Sequence, residues 1–188
     1  MPVSRWPDGV LPRQVLRQFV DEGLIAADAP IADRNLQPAS IDLTLGPVAH
    51  RLRCSFLPGI RTVAERLDEY GMGELTLSGD GAVLERNRPY LIPLQERVDL
   101  PRGVRGRANP RSSTGRLDVF TRLITDGGAH FDEVRDGYSG QLFLEVVPMS
   151  FPIKVRTGIT LNQLRLIAGQ ARVTDEELIA LGTADPLV

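Results

Sequence analysis

The segment GYSGQLFLEVVP, residues 137–148, carries the strongest strand signal in this chain of 188 residues. Glycines mark a turn at its start, and a mostly apolar run follows up to a proline. Strand alternation places Glu145 on one face with Phe143 and Val147, while the opposite face is aliphatic. A carboxylate flanked by apolar groups in mid-strand loses hydration, which raises its pKa and suits a general base near neutrality. A salt-bridged glutamate on an edge strand is the alternative interpretation.

Short strand candidates continue on both sides of this segment, separated by glycine, proline or asparagine. Those before it are QPASIDLTLG, LTL, AVLE, YLIPL, RVDLP and VFTRLIT. After it, FPIKVRTGITLNQLRL holds two more. Each is too short for a typical globular helix, and regularly spaced short strands with turn signals predict an all-β sandwich or barrel.

Short helices are predicted near the two ends of this β region. Residues 12–22 start with Pro12 at the first helical position and carry apolar side chains on one face. Residues 62–70 form a second candidate. Near the C-terminus, ARVTDEELIALG holds a capping box from Thr174 to Glu177, and Gly182 is placed to follow the helix.

These signals divide the chain into three parts. We expect an N-terminal helical segment (1–36), a β-barrel domain (37–170) and a C-terminal helix and tail (171–188). The tail ends on apolar residues, which suggests a linker or a truncation point.

Composition limits the class of protein. Hydrophobic residues make up 42% of the chain, which is typical of a globular protein. No apolar run of about 18 residues is present, so no membrane partner is expected. The net charge of -2 argues against nucleic-acid binding through a basic face, but not against a small anionic ligand. A single cysteine cannot form an internal disulfide, and a cytoplasmic location is expected.

RSSTGR, residues 111–116, is the strongest candidate for holding an anion. It offers hydroxyl groups, two guanidinium groups and the backbone N–H groups of a tight turn, which together suit a phosphate. A surface turn with a helix cap is the alternative interpretation of this hexamer.

Several familiar chemistries do not match the sequence. Zinc-dependent nucleobase deaminases carry H-x-E followed by P-C-x-x-C, whereas this chain has only Cys54, His50 and His130 as cysteine or histidine. A zinc site built from Cys54, His50 and one carboxylate is a weak alternative. The sequence also has no G-x-x-x-x-G-K-[ST] phosphate loop and no G-x-S-x-G nucleophile elbow.

Taken together, five ordered segments resemble the deoxycytidine triphosphate (dCTP) deaminases of the dUTPase-like superfamily. They are QPASIDLTLG, PLQERVDLP, ANPRSSTGRLDVF, GGAHFDEVRDGYSGQLFLEVVP and RTGITLNQLRL, and they run from about Gln37 to Leu166. The chain resembles the N-terminal half of the long bacterial form. The resemblance implies a distorted dUTPase-like β-barrel, jelly-roll-like, that forms a homotrimer with active sites at subunit interfaces. It implies zinc-free attack of water on C4 of cytosine, which converts dCTP to dUTP and ammonia.

The same resemblance assigns catalytic roles by position. Glu145 matches the glutamate that activates water. Arg116 matches the arginine that orients this water and stabilises the developing charge. Ser112 matches the serine that helps to place the water or the base. Magnesium would be bound through the triphosphate and needs no dedicated protein site.

Further matches concern nucleotide binding. Arg111 and Ser113 match residues that face the triphosphate, and Gln163 is a weaker ligand candidate. Backbone groups at Gly128 and Ala129 could read the cytosine edge, since glycine lets a ligand approach the main chain.

Three features depart from the family pattern. FDEVRDGYSG has extra residues, so Asp132 and Asp136 compete to contact the sugar, and we favour Asp132. The tyrosine, lysine and glutamine that usually close over the triphosphate are not found after Arg172. Asp118 stands where many relatives have glycine and adds negative charge beside the loop.

Two other functions remain open. A dUTPase, or a bifunctional enzyme that also hydrolyses the product, would use Asp132 or Asp136, although the match at Glu145 favours deamination. A non-catalytic module that binds nucleotide or supports oligomerisation is the second, and the missing closing segment is its main support.

Overall fold

The computed structural model describes residues 6–184, which fold mainly into antiparallel β-strands. The strands are β1 (Gly9–Val10), β2 (Ile25–Ala27), β3 (Leu36–Gln37), β4 (Ser40–Thr44), β5 (Val48–Leu52), β6 (Gly71–Thr76), β7 (Ala82–Leu84), β8 (Tyr90–Asp99), β9 (Val104–Pro110), β10 (Val119–Thr125), β11 (Glu133–Val134), β12 (Ser139–Pro148), β13 (Ile153–Val155) and β14 (Thr160–Ala168). The helices are α1 (Arg13–Asp21), α2 (Val63–Tyr70), α3 (Ser112–Arg116) and α4 (Asp175–Ala184), with a 3₁₀ turn at Asp33–Asn35.

Two six-stranded sheets form the body of the molecule. The first sheet has the order β11-β9-β14-β4-β3, with β1 also paired to β14. The second has the order β10-β12-β8-β5-β6, with β2 also paired to β8, and β7 and β13 form a separate ribbon. The prediction of a mainly β fold with short terminal helices is confirmed, and the barrel is not closed.

The main core lies between the two sheets. From the second sheet, β12 contributes the buried side chains of Leu142, Leu144 and Val146. The first sheet contributes, among others, Leu164 and Leu166. Aliphatic side chains on alternate positions of facing strands therefore hold the sheets together, which is the pattern that the sequence predicted for β12.

A second, smaller core covers the outer face of the second sheet. Phe143 of β12 packs there with Leu91 of β8 and with Val63 and Leu67 of α2. The capping box of α2 is complete, because the Thr62 hydroxyl accepts from the Glu65 N–H and the Glu65 carboxylate accepts from the Thr62 N–H. Glu145 shares this outer face.

Three local predictions were wrong. YLIPL and RVDLP form one strand, β8, because the Pro93 carbonyl accepts a hydrogen bond of 2.9 Å from Gly46 and the register of β12 shifts between Gln141 and Phe143, opposite Pro93. Pro12 is the residue before α1 and not its first residue. Gly182 lies inside α4, which continues to Ala184, although the capping box of α4 is present.

A tight turn fixes the start of β12. The buried Tyr138 hydroxyl donates a 2.7 Å hydrogen bond to the Gln141 carbonyl and accepts from the Asp126 N–H at 3.3 Å. Burial raises the pKa of Tyr138 to about 12, so the phenol stays protonated as a donor. A Cβ at Gly140 would lie only 2.6 Å from this hydroxyl and 3.0 Å from ring atom Cζ. Glycine is therefore required where the strand passes over the tyrosine.

We expect Gly140→Ala to lower the free energy of unfolding by about 1–3 kcal/mol, because the new methyl group overlaps Tyr138 and the turn must shift. Chemical denaturation followed by circular dichroism at fixed protein concentration measures this change. Gly182→Ala is the matched control, since a Cβ there meets open space in an exposed helix. Gly140→Ala with the stability of the parent, or with a gain like that of the helical control, would contradict the steric argument.

Candidate active site

A cavity of about 490 Å³ on the first sheet collects five of the predicted site residues. Arg111, Ser112, Ser113, Arg116 and Gln163 all line it. The other lining residues are Gln37, Pro38, Ala39, Ser40, Asp42 and Arg165. Because β9 ends at Pro110 and α3 starts at Ser112, the hexamer is a single helical turn preceded by Arg111, with no side-chain cap. Its two serines are exposed, so their hydroxyl groups are available to a ligand.

Arg111 is held in place at the wall of this cavity. One of its N–H groups donates to the Thr160 hydroxyl, and Nη2 lies 3.5 Å from Oδ2 of Asp42. The Asp42 side chain is only 5% exposed, and burial raises its pKa, while Arg111 and Gln37 act in the opposite direction. The buried carboxylate therefore fixes the guanidinium that faces the ligand space.

Two further contacts shape the cavity. The Gln163 side-chain oxygen accepts a 3.0 Å hydrogen bond from the Ser40 hydroxyl, and Arg165 donates to Asn109 Oδ1 at 2.7 Å. With Arg111 and Arg116, Arg165 brings the cavity to three guanidinium groups, which suits a polyanion such as a triphosphate. Sequence reasoning missed both Arg165 and Asp42. Strand alternation in SIDLT nevertheless places Asp42 on the face opposite to that of its two core neighbours.

Glu145 lies elsewhere, on the outer face of the second sheet. Its cross-strand neighbours are Arg122 on β10 and Leu91 on β8. The residue is 1% exposed, and its Oε2 atom has no hydrogen-bond partner among the described residues. Burial raises the pKa of Glu145, while the Ser55 side chain and then Arg122 act to lower it. A buried carboxylate with a raised pKa and one unengaged oxygen has the properties of a proton acceptor.

Arg122 is the main residue of this site that sequence reasoning missed. Its Nε atom is 3.8 Å from Oε1 of Glu145. The VFTRLIT segment was predicted as a strand, but only the pairing of β10 with β12 shows that the arginine faces the glutamate.

The two aspartates that compete for the sugar lie in different surroundings. Asp132 is half-buried near Arg122, and its Oδ1 accepts a 2.8 Å hydrogen bond from the Leu123 N–H. Burial raises its pKa, and the negative charge of Asp132 in turn acts to raise the pKa of Glu145. Asp136 instead accepts from the Gly103 N–H in a separate turn. This geometry favours Asp132 as the residue that shares the glutamate site.

Gly128 and Ala129 lie in the turn that follows β10. Gly128 uses both of its backbone groups within the protein: its N–H donates to the Thr125 carbonyl at 3.0 Å, and its carbonyl accepts from Gly59 at 3.1 Å. Ala129 is exposed. Base recognition by this turn stays a prediction.

The site residues thus form two groups on opposite outer faces of one chain. Ile41 and Leu43 point into the main core, so Asp42 and the cavity lie on the outer side of the first sheet. Leu144 and Val146 also point into that core, so Glu145 lies on the outer side of the second sheet. One chain alone keeps the proposed phosphate cavity and the proposed base apart.

Residues 6–184 contain no group of three or more histidine, cysteine, aspartate or glutamate side chains that could hold a metal ion. No helix in that range is long and apolar enough to cross a membrane.

The two-sheet antiparallel fold carries an arginine-lined cavity and a buried glutamate with one unpaired oxygen. Comparison with known proteins identifies the family. Residues 7–170 match the family described as the 2'-deoxycytidine 5'-triphosphate deaminase (DCD) N-terminal domain, and the chain belongs to that family. The resemblance inferred from the sequence motifs is confirmed.

Individual relatives agree with this assignment. A dCTP deaminase from Natronomonas pharaonis is 31% identical over 79% of this chain and 75% of its own length. A "dCTP deaminase, dUMP-forming" from Methanobrevibacter smithii is 27% identical over 82% of this chain and 78% of its own length. The crystal structure of 2'-deoxycytidine 5'-triphosphate deaminase from Agrobacterium tumefaciens matches with a TM-score of 0.90 and 41% identity over 96% of this chain. This chain spans 53%, about half, of that crystallised chain.

We expect Glu145→Gln to increase the stability of the fold at neutral pH. Burial raises the folded-state pKa of Glu145 above its ordinary value of 4.5. The stability that this group contributes is therefore complete below the unfolded-state pKa and is lost as the pH rises through the folded-state pKa. Glutamine carries no charge, so the advantage of the variant in free energy of unfolding should grow with pH in a series of chemical denaturations.

Asp33→Asn is a control of opposite sign. A hydrogen bond from Arg13 lowers the pKa of the exposed Asp33, so its contribution is present at neutral pH and is lost as the pH falls. The Glu145 argument fails if Glu145→Gln is less stable than the parent at neutral pH, or if its advantage is the same at every pH.

Proposed function

We propose that this protein catalyses zinc-independent hydrolytic deamination of dCTP to dUTP and ammonia. The observation that carries the proposal is Glu145, a buried carboxylate with one unengaged oxygen, in a chain whose other outer face bears an arginine-lined cavity. Family membership and the names of the relatives support the same reaction. The proposal places the reaction in the cytoplasm, in the supply of dUTP as a precursor of thymidine nucleotides.

The proposed chemistry assigns one role to each group. Glu145 takes a proton from water as the water oxygen bonds to C4 of the cytosine ring, and it passes this proton to the ring nitrogen. The second proton of the water then moves from the new hydroxyl group to the amino group, the bond from C4 to the exocyclic nitrogen breaks, and ammonia leaves a C4 carbonyl behind. Arg116 supplies a fixed positive charge that orients the water, because a guanidinium group does not deprotonate. Ser112 helps to place the water or the base.

The cavity would hold the triphosphate. Arg111 and Ser113 would contact phosphate oxygens, with Gln163 as a further ligand. Three guanidinium groups and the N–H groups of α3 present positive potential to the same space. Magnesium would enter on the triphosphate itself, since such a complex needs no protein cage.

We further propose that the working form is a homotrimer with active sites between subunits. The cavity and Glu145 lie on opposite outer faces of one chain, so a second copy is needed to bring a cavity to a glutamate. In a closed ring of three copies, one face of each copy meets a different face of the next copy.

Ammonia release from dCTP with magnesium, after treatment with a chelator to remove zinc, is the primary test. We expect activity in the parent and a loss of about 10²-fold or more in Glu145→Gln. Glu74→Gln is the matched control, because Glu74 lies on the same face of the second sheet, is 65% exposed and pairs with His50. An inactive parent that still binds dCTP would support the non-catalytic module instead, and zinc-dependent activity would contradict the mechanism.

Complementation between two inactive variants tests the interfacial site. Glu145→Gln and Arg116→Gln chains are co-expressed with different affinity tags, and assemblies that carry both tags are purified. In a cyclic trimer, one of the three sites in every mixed assembly regains both groups, so we expect about one third of parental activity per assembly. Activity no greater than that of the separate variants would show that each site lies within one chain.

A bifunctional enzyme that also hydrolyses dUTP is the second candidate, favoured by two observations. Several relatives are named as dUMP-forming, and Asp132 lies beside the glutamate site with a raised pKa. Chromatography of the products from the same assay separates the candidates, since dUTP accumulates with deamination alone and dUMP with pyrophosphate forms in the bifunctional case.

A further inference from the structure

Arg122 lies beside Glu145 and contacts two aromatic rings. Its guanidinium carbon lies 4.4 Å from the ring centre of Phe120 and 4.4 Å from that of Phe131. Both distances are within the range of favourable cation–π contact. Since β10 pairs directly with β12 at this point, the arginine is a cross-strand neighbour of the glutamate.

The contacts of Arg122 show what this arrangement does. Its Nε atom is buried, has no hydrogen-bond partner among the described residues and lies 3.8 Å from Oε1 of Glu145. The side chain is 32% exposed, whereas its Nε atom is buried. A planar cation between two rings loses little further freedom when it faces a carboxylate, so its charge stays near Oε1.

We propose that Arg122 is a positioning residue that keeps Glu145 ionised and aligned through a guanidinium clamped between Phe120 and Phe131. The clamped cation stands beside Oε1 and leaves Oε2 as the unengaged oxygen. The inference rests on the proposed function for its catalytic consequence, because Glu145 serves as a base only in its charged form. The charge relation itself is a property of the folded chain.

Other charged or polar groups around Glu145 do not replace Arg122. Asp132, from the segment before β11, adds a negative charge that opposes ionisation. Ser55, from the loop after β5, favours the charged form but carries no charge. His50 lies on β5, beyond Leu91 in the same cross-strand row, and its Nδ1 is 3.2 Å from the Glu74 carboxylate. Arg122 is thus the cation paired with Glu145.

Direct titration of Glu145 tests the inference without relying on activity. The carboxyl ¹³C signal of Glu145, in protein labelled at glutamate and assigned with Glu145→Gln, is followed against pH. We expect the titration midpoint to move upward in Arg122→Gln, because the nearby positive charge is lost while burial remains. Arg122→Lys should fall between the parent and Arg122→Gln, since lysine keeps the charge but cannot stack as a planar group.

Arg97→Gln is the matched control. Arg97 also lies in the second sheet, on β8, but it is 54% exposed and pairs with Asp28 at 3.4 Å. Its substitution should leave the Glu145 midpoint unchanged. An unchanged or lowered midpoint in both Arg122 variants would overturn the inference, and Arg122→Lys keeps the test open if Arg122→Gln does not fold.

Kinetics then connect the charge to the reaction. In Arg122→Gln, kcat/KM on the acid side of the pH profile should fall about tenfold, while the plateau at higher pH stays within about threefold of the parent. An equal loss at every pH with no movement of the midpoint would mark Arg122 as a structural or substrate-contacting residue and would overturn the proposal. If the Glu145 midpoint moves upward in Arg122→Gln but the parent releases no ammonia, the charge relation is upheld and the proposed function is rejected.

Discussion

The alternation of side chains along β12 is the constraint on which the rest of the structure depends. One face of this strand closes the main core through Leu142, Leu144 and Val146, and the other carries Glu145. A shift of one residue would place the carboxylate between the sheets and the leucines outside. The register is therefore fixed, and the Tyr138 turn before the strand and the irregularity opposite Pro93 are the features that fix it.

Burial of Glu145 works against stability. A charged carboxylate in a dry position with an unengaged oxygen costs free energy that an apolar residue would not. Such a residue persists in a fold when its reactivity is useful, and its surroundings are then rigid. The second core under α2 and the two rings around Arg122 supply that rigidity here.

The sequence predicted much of the fold and several residues of the candidate site, for identifiable physical reasons. Local alternation predicted the face of β12 that carries Glu145, and the composition of the hexamer at 111–116 predicted an anion-binding site. The sequence predicted two strands where β8 is one, because proline normally marks an edge or an end of a strand and Pro93 lies inside β8. Its place inside β8 depends on Gly46, which is distant in sequence. Arg122 and Asp42 were missed for the same reason, since each matters only through the strand or side chain that it meets after folding.

Both outer faces carry the same kind of ion pair, but the supporting partner differs between them. In each, an arginine meets a buried carboxylate with a raised pKa: Arg111 with Asp42, and Arg122 with Glu145. At the cavity the carboxylate is the support, and it holds a cation where an anion would bind. At Glu145 the arginine is the support: it lies beside Oε1 of the carboxylate, and Oε2 stays unengaged. Each arginine also has a contact besides its carboxylate: Arg111 donates to the Thr160 hydroxyl, and Arg122 lies against the rings of Phe120 and Phe131.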